Sequence, residues 1–175
     1  MTDIPDLQTD RLELRPPTVE DSAFGGRLHC DPAVRRYLGG PTPEDRLPDV
    51  LRGYLTFGPR RAAWIVRTEE TAGAIGLVTL SEHKDDRDVE LSYQFLPAAW
   101  GRGYASEATR AVLEHAGRVM HLPSVIAETQ AANAPSRRLL ECLGMTQRAT
   151  LHRFSREQVI YELPLVEFGA KRPTR

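Results

Sequence analysis

The segment between residues 93 and 108 constrains the fold of this chain more than any other. A strand-like run ends at Pro97, glycines follow at positions 101 and 103, and a helical pattern begins at Tyr104. Glycine allows backbone dihedral angles that other residues avoid. The first N–H groups of a helix have no intrahelical acceptors, and the helix dipole favours negative charge there. The segment therefore predicts either an anion site on the amides of residues 102–106 or a simple tight turn.

The rest of the sequence predicts one mixed α/β domain over residues 1–175, because 175 residues that are 41% hydrophobic suffice for one core. Alternating polarity and turn residues predict strands near residues 11–15, 62–67, 74–81, 88–96, 125–129, 146–154 and 159–165. Capping signals predict helices near residues 18–28, 31–38, 42–56, 104–120 and 133–142. Short connections between residues 62 and 96 predict an antiparallel meander, followed by a strand, helix, strand crossover.

Charge and composition argue against several classes of function. Lys+Arg of 23 against Asp+Glu of 24 gives a net charge of −1, which argues against non-specific binding to nucleic acid or to an anionic membrane. Two cysteines without paired spacing, and a start without a leader-like pattern, favour a reduced, cytoplasmic setting. The five histidines form no metal-ligand pattern, so no metal is expected and no histidine is assigned a role.

Several motifs, taken in order, resemble the Gcn5-related N-acetyltransferase (GNAT) superfamily, and most closely its branch of ribosomal-protein alanine acetyltransferases. The similarity covers nearly the whole chain, and its order along the sequence makes it specific. The matching segments are residues 9–15, 90–93, 100–108, 133–136 and 143–145. The resemblance implies a mostly antiparallel sheet of about six or seven strands flanked by helices and splayed open at the strand that binds acetyl-CoA.

The resemblance also implies acetyl-CoA as cosubstrate and assigns residues to it. The diphosphate is expected on the backbone amides of the glycine turn, and the pantetheine arm on the main chain of the strand that precedes Pro97. Asn133 is expected to orient the arm, with a turn-capping role as the alternative. The assigned residues are Phe95, Leu96, Arg102, Gly103, Tyr104, Ala105, Ser106 and Asn133.

Acetyl transfer to an amine needs a base for the amine and a donor to the leaving thiolate. Glu90 is the candidate base, and the alternative is that it only hydrogen-bonds within the sheet or faces solvent. Ser136 is the candidate donor, because its position matches a serine near the thioester in the family, and the alternative is a helix-start hydroxyl. Leu140 stands where many members carry a general-acid tyrosine, which leaves the acid unidentified.

Other residues receive supporting interpretations. Glu107 is interpreted as structural, since a carboxylate aimed at a diphosphate would repel it. Cys142 is interpreted as a buried structural thiol between leucines. The family resemblance places Asp31 and Tyr37 in the wall of the acceptor pocket.

The function predicted is N-acetyl transfer from acetyl-CoA to a primary amine by direct attack, with a protein N-terminus as one class of acceptor. Two alternatives remain open: an acyl-CoA-binding sensor without turnover, and a dinucleotide-binding oxidoreductase. The last is disfavoured because no third glycine follows and three residues separate the strand from the turn. The acceptor and the oligomeric state, a homodimer included, are not determined by the sequence.

Overall fold

The described residues, 4–71, 73–85 and 88–166, form an eight-stranded mixed sheet with four α-helices in this computed structural model. The strands are β1 Leu7–Gln8, β2 Leu12–Arg15, β3 Ala62–Thr68, β4 Ala74–Glu82, β5 Val89–Phe95, β6 Ser124–Gln130, β7 Thr146–Arg153 and β8 Arg156–Pro164. The helices are α1 Ser22–Cys30, α2 Leu47–Gly53, α3 Tyr104–Arg118 and α4 Ala134–Cys142. The predicted mixed α/β class is confirmed, and the additional strand is the two-residue β1.

The sheet order is β1-β2-β3-β4-β5-β6-β8-β7, and it confirms the predicted meander and crossover. Strands β2 to β5 pair with their chain neighbours in antiparallel fashion. Helix α3 then carries the chain to β6, which pairs with β5 in parallel, while β6, β8 and β7 are again antiparallel. The change of direction at β5 and β6 places two parallel strands in the middle of the sheet.

Both faces of the central strands are covered, which explains the continuous apolar sequence of β3. On one face, α3 packs Ala108, Val112, Leu113 and Ala116, all fully buried, into a core that includes Trp64 and Val66. On the other face, Phe24 and Leu28 of α1 pack against Ala63 and Ile65. Because successive residues of a strand point to opposite faces, β3 needs apolar side chains at both parities.

The predicted helix at residues 31–38 is wrong, since the chain forms a series of turns there. Asp31 caps the backbone N–H groups of Ala33 and Val34 at 2.8 and 3.1 Å, as a helix start requires. However, the backbone bonds that follow, from Arg36 to Ala33 and from Leu38 to Arg35, span three residues each, as in successive turns, and the Arg35 side chain donates to the carbonyl oxygens of Leu38 and Gly40 at the end of the segment. The third predicted helix begins later than residue 42, with Pro48 in its first turn.

A partly buried polar chain joins α1 to residues on both sides of α2. His29 Nδ1 lies 2.9 Å from Thr42 Oγ1, and His29 Nε2 lies 2.7 Å from the hydroxyl of Tyr54. The imidazole is 3% exposed, and burial, with a smaller contribution from the charge of Arg35, lowers the pKa of His29 to about 4. His29 is therefore neutral in the folded protein at neutral pH.

This lowered pKa predicts a loss of stability on acidification. The pKa of a histidine in the unfolded chain is about 6.5. As the pH falls from 6.5 toward 4, the unfolded state binds a proton that the folded state does not, and this lowers the free energy of unfolding. Between pH 7 and pH 5, the free energy of unfolding of the wild type should fall by about 2 kcal/mol more than that of His29→Gln. Urea denaturation of both proteins at the two pH values measures this, and equal losses would contradict the assignment.

Candidate active site

The glycine turn and the start of α3 form a cradle of backbone N–H groups. Gly101 and Gly103 have φ values of +72° and +79°, and Gly103 is the N-cap residue of α3. The first bond of the helix runs from the N–H of Glu107 to the carbonyl of Gly103 at 3.1 Å. The amides of residues 104–106 therefore have no acceptor within the helix, and a partial positive charge lies at this terminus.

Glu107 holds this cradle against the N-terminal strand segment. Its carboxylate accepts hydrogen bonds from the Thr9 hydroxyl at 2.6 Å and from the Arg11 backbone at 3.0 Å, and it pairs with the Arg11 guanidinium at 2.7 Å. Burial alone would raise the pKa of Glu107, but the bonds from Thr9 and Arg11 outweigh burial and hold this pKa below its usual value. These contacts agree with the structural interpretation of Glu107.

Two guanidinium groups also lie over the ring of Tyr104, the first residue of α3. Those of Arg11 and Arg102 are 4.8 and 5.3 Å from the ring centroid. Arg11 additionally donates to the carbonyl of Arg102 at 3.0 Å, and Arg102 pairs with Glu70 at 2.5 Å. Side chains from three separate segments thus hold the cradle in shape. The positively charged guanidinium groups of Arg11 and Arg102 lie beside it.

Strands β5 and β6 form a gap next to the cradle. Their pairing is reduced to one residue pair, Glu90 with Ile126, and the strands are unpaired beyond it. At the far end of β5, the N–H of Leu96 donates to Ile75 of β4 at 2.9 Å, and its carbonyl accepts from Ala99. Because backbone groups alternate along a strand, the N–H of Phe95 points to the opposite edge, toward the gap.

Phe95 is held in place from both sides. Its ring packs over Gly76, where a Cβ would come within 2.4 Å of the ring, so the opposite residue on β4 must be glycine. Its carbonyl accepts a hydrogen bond from Trp100 Nε1 at 2.7 Å, which ties the glycine turn to the end of β5. Both main-chain groups of Leu96 are bonded within the protein, so Phe95 is the better placed of the two to offer its N–H to a ligand.

Glu90 lies at the point where the gap begins and lines a cavity of about 1140 Å³. The cavity is also walled by the turns after α1, including Tyr37 but not Asp31, and by the β7–β8 hairpin. Burial raises the pKa of Glu90, the charge of Glu128 raises it further, and His83 and Lys84 oppose the increase. A carboxyl with a raised pKa is a stronger base when ionised.

His83 and Glu128 are site residues that the sequence did not reveal. His83 Nε2 lies 3.0 Å from Glu128 Oε2, and the side chains are 1% and 10% exposed. The N–H of Asp85 donates to His83 Nδ1 at 3.4 Å, and Arg153 Nε lies 3.3 Å from the other oxygen of Glu128. The contact with His83 fixes the carboxylate of Glu128 as a second carboxylate in the cavity wall. No local sequence motif indicates this pair, because the two residues are 45 positions apart.

The start of α4 brings Asn133 and Ser136 to the other face of β5. Asn133 Oδ1 accepts from the N–H of Ser136 at 3.3 Å, which is the cap that was the alternative interpretation of Asn133. Ser136 Oγ lies 2.8 Å from the hydroxyl of Tyr93, and burial raises the pKa of Tyr93 to about 12, with the Ser136 hydrogen bond opposing the increase. Leu140 is fully buried in the core.

The interpretation of Cys142 as a buried thiol is wrong, because both cysteines are exposed. Cys142 lies two residues beyond the buried Leu140, which places it on the opposite side of the helix. Within residues 4–71, 73–85 and 88–166, no cluster of histidine, cysteine and carboxylate side chains is arranged to hold a metal ion. In the same ranges no helix is long and apolar enough to cross a membrane.

Comparison with known proteins identifies the family. Residues 11–146 match the model of the GNAT acetyltransferase domain, and the chain belongs to this family of acetyltransferases, which use acetyl-CoA. A FsC-acetyl coenzyme A-N(2)-transacetylase of Aspergillus fumigatus is 32% identical over 158 residues, which cover 83% of this chain and 67% of that protein. The match does not decide the branch within the family.

Solved structures agree with the family assignment. An acetyltransferase from Agrobacterium tumefaciens is similar with a TM-score of 0.81 and 26% identity, over 93% of this chain and 96% of that chain. Spermidine N-acetyltransferase from Vibrio cholerae, solved with CoA and spermine, shares the fold with a TM-score of 0.79 at 17% identity, over 91% of this chain and 99% of that chain. The antiparallel meander and this family assignment exclude the dinucleotide-binding interpretation.

The cradle predicts a strong effect of Gly103→Glu on cofactor affinity. The substitution adds a negative charge to the cradle and a side chain at a left-handed backbone position, where its Cβ would lie 3.3 Å from the guanidinium of Arg11. Acetyl-CoA binding should therefore weaken by about 100-fold or more. Isothermal titration calorimetry measures the affinity. Gly144→Glu is the matched control, since it adds the same charge at φ +88° after α4 and should leave the affinity unchanged. Equal affinities of Gly103→Glu and wild type would show that the cradle does not bind the cofactor.

Proposed function

We propose that this enzyme transfers the acetyl group of acetyl-CoA directly to a primary amine, with Glu90 as the base and Ser136 as hydrogen-bond donor to the leaving thiolate. The observation that carries the proposal is the position of Glu90 at the single residue pair between β5 and β6, where the gap meets the large cavity. A thioester in the gap and an amine in the cavity would meet at this residue.

The cofactor is proposed to lie along the gap, with its diphosphate on the amides of Arg102, Gly103, Tyr104, Ala105 and Ser106. The positive φ values of the two glycines and the acceptor-free amides support this placement. The pantetheine arm would extend the sheet at Phe95, whose N–H points into the gap, with the main chain of Leu96 beside it. The NH₂ group of Asn133 is proposed to contact the arm, because the cap uses only the carbonyl oxygen of that side chain.

The reaction follows from these positions. The amine nitrogen attacks the acetyl carbon while the N–H of Phe95 stabilises the developing negative charge on the carbonyl oxygen. The nitrogen gives its proton to Glu90, directly or through a water molecule. The carbon–sulfur bond breaks, the electron pair stays on sulfur, and Ser136 donates a hydrogen bond to the thiolate.

The size and lining of the cavity support an extended acceptor such as a protein N-terminus. At about 1140 Å³ the cavity exceeds the roughly 300–1,000 Å³ of typical small-ligand sites. Exposed apolar side chains at Leu38 and Phe154 lie in its wall and would contact the residues that follow an N-terminal amine. Relatives are named for other acceptors, spermidine and the N(2) group of FsC, so the family by itself does not select one.

We also propose that the enzyme acts in the cytoplasm. Cys30 and Cys142 are both free and exposed, and exposed thiols persist in a reducing compartment.

A panel of amines tests the proposed function. Release of CoA, corrected for hydrolysis, is measured with peptides beginning in alanine or serine, with spermidine and with free amino acids. The proposal requires amine-dependent CoA release and predicts the peptides as the best acceptors. Acetyl-CoA binding without transfer to any amine would contradict it and would favour a sensor.

Glu90→Gln tests the base. In the wild type, kcat/KM should fall as the pH drops through the pKa of Glu90, which burial places above the ordinary value of about 4.3 for glutamate. The variant should be about 100-fold slower at neutral pH and should lose this acidic limb, while acetyl-CoA affinity is unchanged. Glu82→Gln is the control, since it removes an exposed carboxylate from the same wall. A wild-type pH profile retained by Glu90→Gln would remove Glu90 from the mechanism.

A further inference from the structure

One hydrogen bond crosses from β5 to α4 beside the gap. The hydroxyl of Tyr93 and Ser136 Oγ are 2.8 Å apart and belong to residues 43 positions apart in the chain. Tyr93 lies three residues beyond Glu90, the one residue of β5 that pairs with β6, and two residues before Phe95. The bond is therefore formed where β5 is already unpaired on the side of the gap.

We propose that Tyr93 is a positioning residue that donates its hydroxyl proton to Ser136 and so directs the hydroxyl of Ser136 at the sulfur of the cofactor. This inference rests on the proposed function, because it assumes that the thioester lies in the gap. It also explains how the site can work with Leu140 at the position where many family members carry a tyrosine. The tyrosine hydroxyl that assists Ser136 comes from Tyr93 on β5 and not from α4.

Either hydroxyl could donate in this bond, and the proposed direction is the one that leaves the proton of Ser136 free for the sulfur. Within the part of the chain that the structure describes, the bond between them is the only hydrogen bond of either hydroxyl, since the cap by Asn133 uses the backbone N–H of Ser136. A hydroxyl has one proton to donate. If Tyr93 donates to Ser136 Oγ, the proton of Ser136 remains available to the sulfur, and a serine that accepts a hydrogen bond is a stronger donor.

Burial gives the tyrosine the right protonation state for this role. The pKa of Tyr93, raised to about 12, is well above that of a thiol, which is about 8.5 for free cysteine. Tyr93 therefore keeps its proton while the thiolate leaves, and it acts through the hydrogen bond without transferring the proton. The proton of the amine goes to Glu90, and the thiolate later takes a proton from water.

The arrangement separates the two ends of the reaction. Glu90 and Tyr93 are at positions of opposite parity on β5, so their side chains leave the strand on opposite faces. Glu90 faces the acceptor cavity, and Tyr93 faces α4. The base on one face receives the incoming amine, while the hydroxyl pair on the other face stabilises the departing sulfur.

The thiol pKa of bound CoA tests the proposal without needing an acceptor. The thiolate absorbs ultraviolet light more strongly than the thiol, so a pH titration of the CoA complex, with the desulfo-CoA complex as baseline, measures the pKa of the bound thiol. In the wild type this pKa should lie below that of free CoA. Ser136→Ala and Tyr93→Phe should each raise it by about one unit, a tenfold change in the ratio of thiolate to thiol, with calorimetric affinity for CoA within about twofold of wild type.

The variants are chosen to exclude a structural explanation. Tyr93→Phe keeps the packed ring and removes only the hydroxyl. Tyr161→Phe is the matched control, because it removes a hydroxyl that bonds to Arg137 and Glu141 on the same helix without touching Ser136. In the double variant of Tyr93 and Ser136, the two effects on the thiol pKa should not add, since both act through one serine.

Each other outcome overturns the proposal. A thiol pKa in Tyr93→Phe equal to that of the wild type would show that Tyr93 does not act on the sulfur, and loss of CoA binding in this variant would assign Tyr93 a structural role. An unshifted thiol pKa in the wild-type complex would remove both hydroxyls. The amine panel is read separately: a shifted thiol pKa with no acetylation of any amine would contradict the proposed function and leave the effect of Tyr93 on the thiol standing.

Discussion

The loss of pairing between β5 and β6 is the constraint on which the rest of the site depends. The two strands are parallel neighbours that share one residue pair, so the backbone of β5 beyond Glu90 is available to a ligand on one edge. A sheet that continued its pairing would have used these groups internally. The crossover helix α3 that joins the strands begins at the same end of β5, so the gap and the acceptor-free amides of the helix lie next to each other.

Contacts from distant segments keep this opening in shape. Glu107 ties the first turn of α3 to Thr9 and Arg11, and Trp100 ties the glycine turn to Phe95. Gly76 admits the ring of Phe95 against β4. These groups form hydrogen bonds with one another, so the backbone N–H groups of residues 104–106 and of Phe95 remain available to the ligand. The site is thus built largely from backbone groups, with side chains as its supports.

The parts of the site that are local in sequence could be predicted, and those that depend on strand register could not. Gly101 and Gly103 signal the turn by residue type alone, and Glu90 could be assigned to a strand from its neighbours. The contact of Tyr93 with Ser136 and that of His83 with Glu128 each join residues more than 40 positions apart, and only the packing of β4, β5, β6 and α4 brings them together. The helix expected at residues 31–38 does not form, because after the first bond, from Arg35 to Asp31, the backbone bonds from Arg36 to Ala33 and from Leu38 to Arg35 span only three residues, and capping signals do not reveal this change.

The crystal structure of the complex with CoA tests the central claim most directly. The account predicts the diphosphate within about 3 Å of the backbone nitrogens of residues 102–106, and the pantetheine arm between β5 and β6 with an amide hydrogen-bonded to Phe95. It also predicts that the sulfur lies within hydrogen-bond distance of Ser136. A diphosphate bound away from the start of α3, or an arm that leaves the gap between β5 and β6 empty, would contradict the account.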